Sequence, residues 1–454
     1  MDSSNNLHIV LATAEPKVVN RLLNSIQQAL PSFKVTASVL LFGMTESIQH
    51  FELCMPVDVI DSFMYYLPIV DSRNICQLHL YRKMKRSGGI GFIFDDDLSW
   101  TLSENDFITL IDELKMNGCD MAFSALSGDS PIPKEYTRTS PLLDVLMAIN
   151  DEISNDETVL INEYVKGIKT SDEGVADTYA HHDFYSFNPS RFHRYNVNLA
   201  TIQWHDFINR LIKGKTTTRS IQLPTKVTPA SGRERGGATL ILNPDVLLCQ
   251  NKALRCIKWI SRRSDMIMAT DAKNYNFKLF NTPPMLEHRR DESFDTHDNK
   301  KLIGDILGYA LVESRNASKY CQNKFLLSLS QRIDQTNLLL KESSKMMKLL
   351  DKWLVNNNYI GSEQSKAFNS MILENEQTMF ALMSIDLNIV LESFKEFDES
   401  RANIVDVIKY SATFFSVMSE NNYSHVFIPL SLEYSVVTRD FLQEKALYAV
   451  QIDY

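Results

Sequence analysis

Apolar residues form short runs in the first 290 positions of the chain and long helical repeats after them. Residues 7–14, 33–42 and 90–94 are short runs rich in β-branched or aromatic side chains, so we predict that they are buried strands. Between the first two runs, Glu15-Pro16 opens a segment with apolar residues at helical spacing and proline in its first turn. Strand, helix and strand at this spacing indicate a parallel sheet.

The last third of the chain has a different pattern. Apolar side chains recur in alternating steps of three and four over residues 326–354, which is typical of a coiled-coil or bundle helix. We expect a second helix over residues 365–397 and a third over 404–418. Glycine and proline are concentrated before residue 290, so turns dominate that part and helices the remainder. The charged stretch 289–301 is the expected domain boundary.

Composition narrows the possible classes of protein. The 454 residues carry a formal charge of −9, which argues against a general nucleic-acid or anionic-membrane binder. The six cysteines show no CxxC spacing, so we expect neither a zinc site nor a disulfide framework, and we predict a cytoplasmic protein. The chain begins without a signal-peptide pattern, and no run of 18 apolar residues predicts a transmembrane helix.

Three consecutive carboxylates, Asp95, Asp96 and Asp97, follow the apolar run 90–94 directly. Like charges so close repel one another unless a cation lies between them. Oxygen ligands of this kind suit Mg²⁺ or Mn²⁺, particularly when a diphosphate completes the coordination. The alternative is a solvated acidic turn. Thr13-Ala14 also follows a predicted strand, and ligands of parallel sheets bind at such strand ends.

Two further stretches carry groups that suit phosphate. Ser72 is expected to cap a helix that runs to about residue 86, and Arg73 would lie at its N-terminus, where it either attracts an anion or faces solvent. Residues 228–238 combine glycines with Arg233 and Arg235, which suit phosphate oxygens. The segment lacks P-loop spacing and is alternatively a flexible loop.

Together, the strand with Thr-Ala, the Ser-Arg-Asn helix and the strand that ends in Asp-Asp-Asp resemble the nucleotide-binding half of GT-A glycosyltransferases, particularly the family 2-like group. The resemblance covers residues 7–125 and, more loosely, 230–290. It implies an α/β fold with a GT-A-like, Rossmann-like mixed sheet flanked by helices, followed by a C-terminal helical domain. The implied domains are a nucleotide-sugar-binding half (1–125), an acceptor-side half (126–295) and a mainly helical domain (296–454).

The resemblance also implies roles for single residues. Asp96 would lie near the ribose or the sugar, and Gly236-Gly237 would line the donor sugar. Arg262-Arg263-Ser264-Asp265 matches the family's acid motif only in part, since Ser264 stands where an acid is frequent; Asp265 is the implied base, or else a helix N-terminal charge. The implied metal ligands are Asp95, Asp97 and His288. The implied donor contacts are Thr13, Ala14, Arg73, Asp96, Arg233, Arg235, Gly236 and Gly237.

The implied function is a metal-dependent hexosyltransferase that uses Mn²⁺ or Mg²⁺ and a nucleotide-diphosphate sugar. It would be inverting if Asp265 is the base. The alternatives are a nucleotidyltransferase on a related fold and a non-catalytic scaffold with a degenerate donor site. The C-terminal helices are expected to pack on the enzyme or to form a homodimer.

Overall fold

A computed structural model of the chain describes residues 5–42, 57–63, 67–129, 132–149, 197–215, 218, 223–234, 236–289, 299–316 and 319–402. The strands are β1 (Asn6–Thr13), β2 (Lys34–Phe42), β3 (Val57–Phe63), β4 (Ile90–Phe94), β5 (Leu98–Trp100), β6 (Met121–Gly128), β7 (Thr228–Pro229), β8 (Ala238–Ile241), β9 (Leu279–His288), β10 (Arg315–Asn316) and β11 (Lys319–Tyr320). The helices are α1 (Pro16–Ala29), α2 (Ile69–Ser87), α3 (Glu104–Met116), α4 (Lys134–Thr137), α5 (Thr139–Ala148), α6 (Trp204–Lys213), α7 (Ser264–Asn274), α8 (Lys300–Glu313), α9 (Gln322–Asn356), α10 (Ser362–Met383) and α11 (Leu387–Ala402), with 3-10 turns at Leu199–Thr201 and Pro244–Leu248.

Within these described ranges, nine strands form one mixed sheet in the order β3-β2-β1-β4-β8-β6-β9-β5, and β7 pairs with β9. The β3-β2-β1-β4 portion is parallel, as its apolar runs predicted. Strand β8 is antiparallel to both of its neighbours, β4 and β6. Because the chain adds β2 and β3 on one side of β1 and then places β4 on the other, the strand order reverses between β1 and β4. This reversal is the point where sheets of this class bind ligands.

Helices cover both faces of the sheet. On one face, α1 and α3 pack with Phe92, Phe107 and Trp100 into a core in which aromatic rings meet edge to face. On the other face, α2 and α7 pack against Ile93 and Phe123. Burial of apolar side chains from both faces explains why β4 consists entirely of buried residues.

The helical region has two cores of its own, and the 35-residue α9 runs through both. Its first part packs against α8 and α11. Its second part packs against α5 and α6, which precede the last sheet strand in the chain. Helices from residues 139–213 therefore share a hydrophobic core with the C-terminal helices. The domain boundaries at residues 125 and 295 stay predictions.

The predicted fold class is confirmed: a mixed α/β sheet flanked by helices, consistent with a GT-A-like fold, precedes a helical C-terminal region. None of the helices in the described ranges is long and apolar enough to cross a membrane. The predicted third helix, residues 404–418, lies outside the described residues.

Two details of the helix predictions were wrong. Helix α2 begins at Ile69 with Pro68 as its N-cap residue, so Ser72 lies inside the first turn and its hydroxyl donates to the carbonyl of Pro68. The predicted helix 365–397 is broken at residues 384–386, where Asp386 accepts a hydrogen bond from the backbone N–H of Asn388 and starts α11. Such side-chain bonds to nearby backbone compete with helix continuation.

Candidate functional site

A cavity of about 450 Å³ opens at the carboxyl ends of β1 and β4, where the strand order reverses. We call it the strand-end cavity. The predicted residues that line it are Thr13, Ala14, Arg73, Asp95, Asp96, Asp97 and His288. Seven of the twelve residues implied by the resemblance thus meet at one place, although they are up to 275 positions apart in the chain.

Each of the three consecutive carboxylates has its own partner. Asp95 pairs with Arg73, Asp96 accepts a hydrogen bond from Thr13, and Asp97 contacts His288. The chain leaves the sheet at this point, with the backbone N–H of Asp95 donating to the carbonyl of Gly237 at 2.9 Å. Separate partners reduce the repulsion that three adjacent acids would otherwise suffer.

Arg73 holds two carboxylates together. Its Nη2 lies 2.9 Å from Oδ1 of Asp95, and its Nη1 lies 3.3 Å from Oδ2 of Asp265. The Arg73 and Asp265 side chains are 14% and 15% exposed, so water screens their contact poorly, whereas the Asp95 side chain is 39% exposed and its contact is better screened. Burial alone would lower the pKa of Arg73, but the two carboxylates raise it above its usual value. Burial raises the pKa of Asp95, although the charge of Arg73 opposes this.

Asp265 lies in the first turn of α7, where a carboxylate also suits the helix dipole. Its Oδ1 accepts the backbone N–H of Met266 at 3.0 Å, and its Oδ2 accepts the N–H of Gly236 at 2.6 Å. Asp265 does not line the strand-end cavity itself but reaches it through Arg73. Whether it acts as a base stays a prediction.

Gly236-Gly237 passes between the two carboxylates that Arg73 bridges. A Cβ on Gly237 would lie 2.9 Å from Oδ2 of Asp95, and one on Gly236 would lie 3.1 Å from Cβ of Asp265. Both distances are shorter than ordinary van der Waals contacts, so larger residues here would displace the carboxylates. The glycines are thus explained by packing around Asp95 and Asp265, whether or not they also line a donor sugar.

Asp96 is held by the end of β1. The Thr13 hydroxyl donates to Oδ2 of Asp96 at 2.6 Å, and the same hydroxyl oxygen accepts the backbone N–H of Glu15 at 2.9 Å. Burial raises the pKa of Asp96 to about 6, and the hydrogen bond from Thr13 acts in the opposite direction. A carboxyl group with such a pKa titrates close to neutral pH.

His288 faces Asp97 across the sheet edge, because β5 pairs with β9 in the register Leu98↔His288. Nδ1 of His288 lies 2.7 Å from the carbonyl oxygen of Asp129, which only accepts hydrogen bonds, so Nδ1 carries a proton. In a neutral imidazole, Nε2 then presents a lone pair to Oδ2 of Asp97 at 2.9 Å. Two lone-pair acceptors at this distance do not attract each other, so the contact needs a proton on the imidazole or on the carboxyl group, or a cation that binds both.

The pair fits a divalent cation. Adjacent ligands of an octahedral Mg²⁺ lie roughly 3 Å apart, because each ligand is about 2.1 Å from the metal. The observed 2.9 Å is compatible with this separation as well as with a direct hydrogen bond, and the carbonyl of Asp129 orients the ring as second-shell partners of metal-binding histidines do. Among the residues that the structure describes, no three His, Cys, Asp or Glu side chains form a complete metal-binding group. The protein's ligands would therefore have to be supplemented by the substrate or by water.

Basic side chains that sequence reasoning did not assign to the site also line the cavity: Arg21 from α1, Arg262 from the loop before α7, and Lys301 from α8. Nε of Arg21 is buried without a hydrogen-bond partner among the described residues. Arg289 also lines the cavity and pairs with Glu287. The position of Arg262 within the acid motif was a usable signal, but Arg21 and Lys301 had none in the local pattern.

The remaining predicted residues lie elsewhere. Arg233 pairs with Glu313 at the end of α8 and is not among the residues that line the cavity. Its role as a phosphate contact stays a prediction. Arg235 lies outside the described residues.

Comparisons with known proteins add little to this geometry. No family model matches the chain, and no curated protein matches it. Among solved structures, the chain is similar to the crystal structure of S. aureus TarS 1–349 at 10% sequence identity and a TM-score of 0.33. The match covers 82% of this chain and 91% of that one. At this level of similarity, function has to be inferred from the site itself.

Proposed function

We propose that the protein is a metal-dependent glycosyltransferase that moves a sugar from a nucleotide-diphosphate sugar to an acceptor hydroxyl. The observation that carries this proposal is the contact of His288 Nε2 with Asp97 Oδ2, at the separation of adjacent metal ligands, beside Asp95 and Asp96. A cation held by two protein ligands would have further coordination positions for phosphate oxygens, as is usual for Mg²⁺ in nucleotide sites.

The place of the cavity in the sheet supports a nucleotide ligand. The cavity is lined by the ends of two strands: residues 11–15 at the end of β1 and just after it, and residues 93–97 at the end of β4 and just after it. These two strands lie on either side of the reversal in strand order. Crevices of this kind bind nucleotides in many unrelated α/β proteins. Because folds of this class host many reactions, the reaction type is inferred from the side chains rather than from the sheet.

The charges in the cavity suit a metal-bound diphosphate better than either component alone. Asp95, Asp96 and Asp97 would repel a bare diphosphate, whereas Arg21 and Lys301 would repel a bare cation. A diphosphate with its cation presents both signs, so the cation meets the acidic floor and the phosphate oxygens meet the basic side chains.

Each residue has a distinct task in the proposed reaction. Asp97 and His288 would hold the cation, which when bound stabilises the negative charge of the departing diphosphate. Thr13 fixes Asp96 at the edge where the ribose or sugar would lie. Asp265, which meets the strand-end cavity only through Arg73, would accept the proton of an acceptor hydroxyl bound beside Arg73, which makes the reaction inverting. Arg73 keeps that carboxylate beside Asp95 and therefore beside the donor.

The test is a screen of nucleotide-diphosphate sugars for thermal stabilisation and donor hydrolysis, with and without Mn²⁺. We expect Mn²⁺-dependent stabilisation and hydrolysis with at least one donor, and loss of both in Asp97→Asn. The control is Asp58→Asn, which changes an exposed carboxylate on β3 that pairs with Lys83 away from the cavity. Stabilisation by nucleoside triphosphates alone would indicate nucleotidyl transfer instead, and no response to any nucleotide would reject the enzymatic proposal.

A further inference from the structure

Arg263 has an unusual conformation directly before the helix that carries Asp265. Its φ of 66° and ψ of 27° place it in the left-handed region, which residues other than glycine seldom adopt. Arg263 is also the N-cap residue of α7, yet its side chain makes no capping hydrogen bond. N-cap residues usually have an extended backbone and a short polar side chain such as that of Ser, Thr, Asn or Asp. A conformation that costs free energy persists only when its surroundings hold it.

An ion pair with α8 holds Arg263. Nε and Nη2 of Arg263 lie 3.1 Å and 2.9 Å from the two carboxylate oxygens of Asp305, a forked geometry that fixes the guanidinium in direction as well as distance. The Asp305 side chain is 4% exposed. Burial alone would lower the pKa of Arg263, but the carboxylate of Asp305 raises it. The Tyr309 ring lies under the guanidinium at 5.3 Å.

The backbone before Arg263 is fixed against the same helix. The N–H of Arg262 donates to the carbonyl of Gly304 at 2.8 Å. A Cβ added to Gly304 would lie 2.6 Å from the carbonyl oxygen of Ile260. A Cβ added to Gly308 would lie 2.1 Å from the carbonyl oxygen of Arg262. Only glycine at both positions lets the segment 260–262 lie so close to α8.

These contacts lead to Asp265. It lies two residues after Arg263, and its Oδ2 meets the N–H of Gly236 and the guanidinium of Arg73. We propose that the Arg263–Asp305 ion pair positions Asp265 against Arg73 and Gly236. The first helix of the C-terminal region is then part of the reaction site and not only an appendage. The inference rests on the proposed function for its catalytic consequence, since it assumes that Asp265 acts on the acceptor.

The test separates the backbone from the side chain at Arg263. Arg263→Gly keeps the left-handed conformation at no steric cost but removes the guanidinium, and Asp305→Asn removes the partner charge with little change in shape. Arg263→Lys keeps a charge without the fork. We expect donor hydrolysis turnover to fall by roughly 10- to 100-fold in the first two variants at unchanged donor KM, because misplacement of a reacting group by about 1 Å costs up to 100-fold. Arg263→Lys should recover part of the loss.

A control variant distinguishes positioning from loss of stability. Glu374→Gln breaks the ion pair of Glu374 with the fully buried Arg138, which lies in the helical cores and outside the cavity lining. We expect it to lower the unfolding midpoint while turnover per folded molecule stays unchanged. The positioning proposal is overturned if Asp305→Asn behaves in the same way.

A second measurement does not depend on activity. Thermal unfolding midpoints of Asp305→Asn, Asp265→Asn and the double variant should be non-additive, because coupled residues show interaction terms, whereas Glu374→Gln combined with Asp265→Asn should be additive. If no donor is hydrolysed but the effects of Asp305→Asn and Asp265→Asn on the unfolding midpoint are non-additive, the proposed function fails and the positioning inference stands. If a donor is hydrolysed, the effects of Asp305→Asn and Asp265→Asn on the unfolding midpoint are additive, and Asp305→Asn retains turnover per folded molecule, then the proposed function stands and the positioning inference fails.

Discussion

Gly128→Ala should weaken metal binding without changing any side chain that could contact a metal. Gly128 ends β6 at φ 81°, opposite His288 in the β6–β9 register. The next residue, Asp129, makes two bonds to His288: its N–H donates to the His288 carbonyl at 2.9 Å, and its own carbonyl accepts the ring Nδ1–H at 2.7 Å. Gly128 therefore stands beside the contact that orients the imidazole.

The expected magnitude follows from the space at Gly128. An added Cβ would lie 2.5 Å from the His288 carbonyl oxygen, and ordinary contact begins at 3.4 Å, so the two backbones must separate by about 0.9 Å. Functional groups tolerate displacements of only about 0.5 Å. Loss of a partner that orients a ligand typically costs 10- to 100-fold in metal affinity. We expect the Kd for Mn²⁺ to rise by this factor, or about 1.4–2.7 kcal/mol.

The assay is a Mn²⁺ titration of the folded protein by calorimetry or electron paramagnetic resonance. Gly118→Ala is the matched control, because Gly118 also has a positive φ, 65°, but the nearest atom to its added Cβ is the flexible end of Lys278 at 3.1 Å. If Gly118→Ala weakens Mn²⁺ binding as much as Gly128→Ala does, general strain explains the loss. If Gly128→Ala binds Mn²⁺ like the unsubstituted protein, His288 is not a ligand whose orientation matters.

Three other expectations concern stability. Arg73→Met removes the cation shared by Asp265, whose side chain is 15% exposed, and Asp95, whose side chain is 39% exposed, so we expect a cost of about 1–3 kcal/mol of unfolding free energy in denaturant titrations; no measurable loss would contradict the bridge. Burial raises the pKa of Asp96 from 3.8 to about 6, so protonated Asp96 contributes to the stability of the folded state fully below about pH 4, and this contribution is lost as pH rises through about 6. The difference in unfolding free energy between the unsubstituted protein and Asp96→Asn should therefore fall between about pH 4 and pH 6. A difference that stays constant over this range would refute the raised pKa. Gly308→Ala should cost about 2–3 kcal/mol because its Cβ would meet the Arg262 carbonyl at 2.1 Å. Gly361→Ala, with its nearest neighbour at 3.6 Å, should cost about 1 kcal/mol or less in the same unfolding assay, because it only replaces a glycine N-cap.

Local pattern was sufficient for much of the sheet. The strands β1, β2 and β4, the proline-started α1 and the long α9 all follow from apolar periodicity and turn residues, which act over a few neighbouring positions. The placement of Thr13-Ala14 beside Asp95–Asp97 also followed, because parallel strands bring their carboxyl ends to one edge. A strand that ends in three acids marked the candidate site before any contact was known.

Partners across long sequence separations were not in that pattern. In the structure Arg73 bridges Asp95 and Asp265, and Arg233 pairs with Glu313; their contacts with donor phosphate stay predictions. The helix prediction at residues 365–397 missed a break because a single side-chain bond at Asp386 decides it.

The main strands and helices, and the point where a cluster of acids leaves the sheet, follow from the order of side chains along a few turns, although the ends and breaks of helices do not. Long-range packing is needed to bring Lys301 and Arg21 to the same cavity, to set Asp129 against His288, and to place Asp305 beside the residue before the α7 helix. The physical reason is that such contacts depend on helix rotation and loop path, which are set by packing of distant apolar faces and not by neighbouring residues.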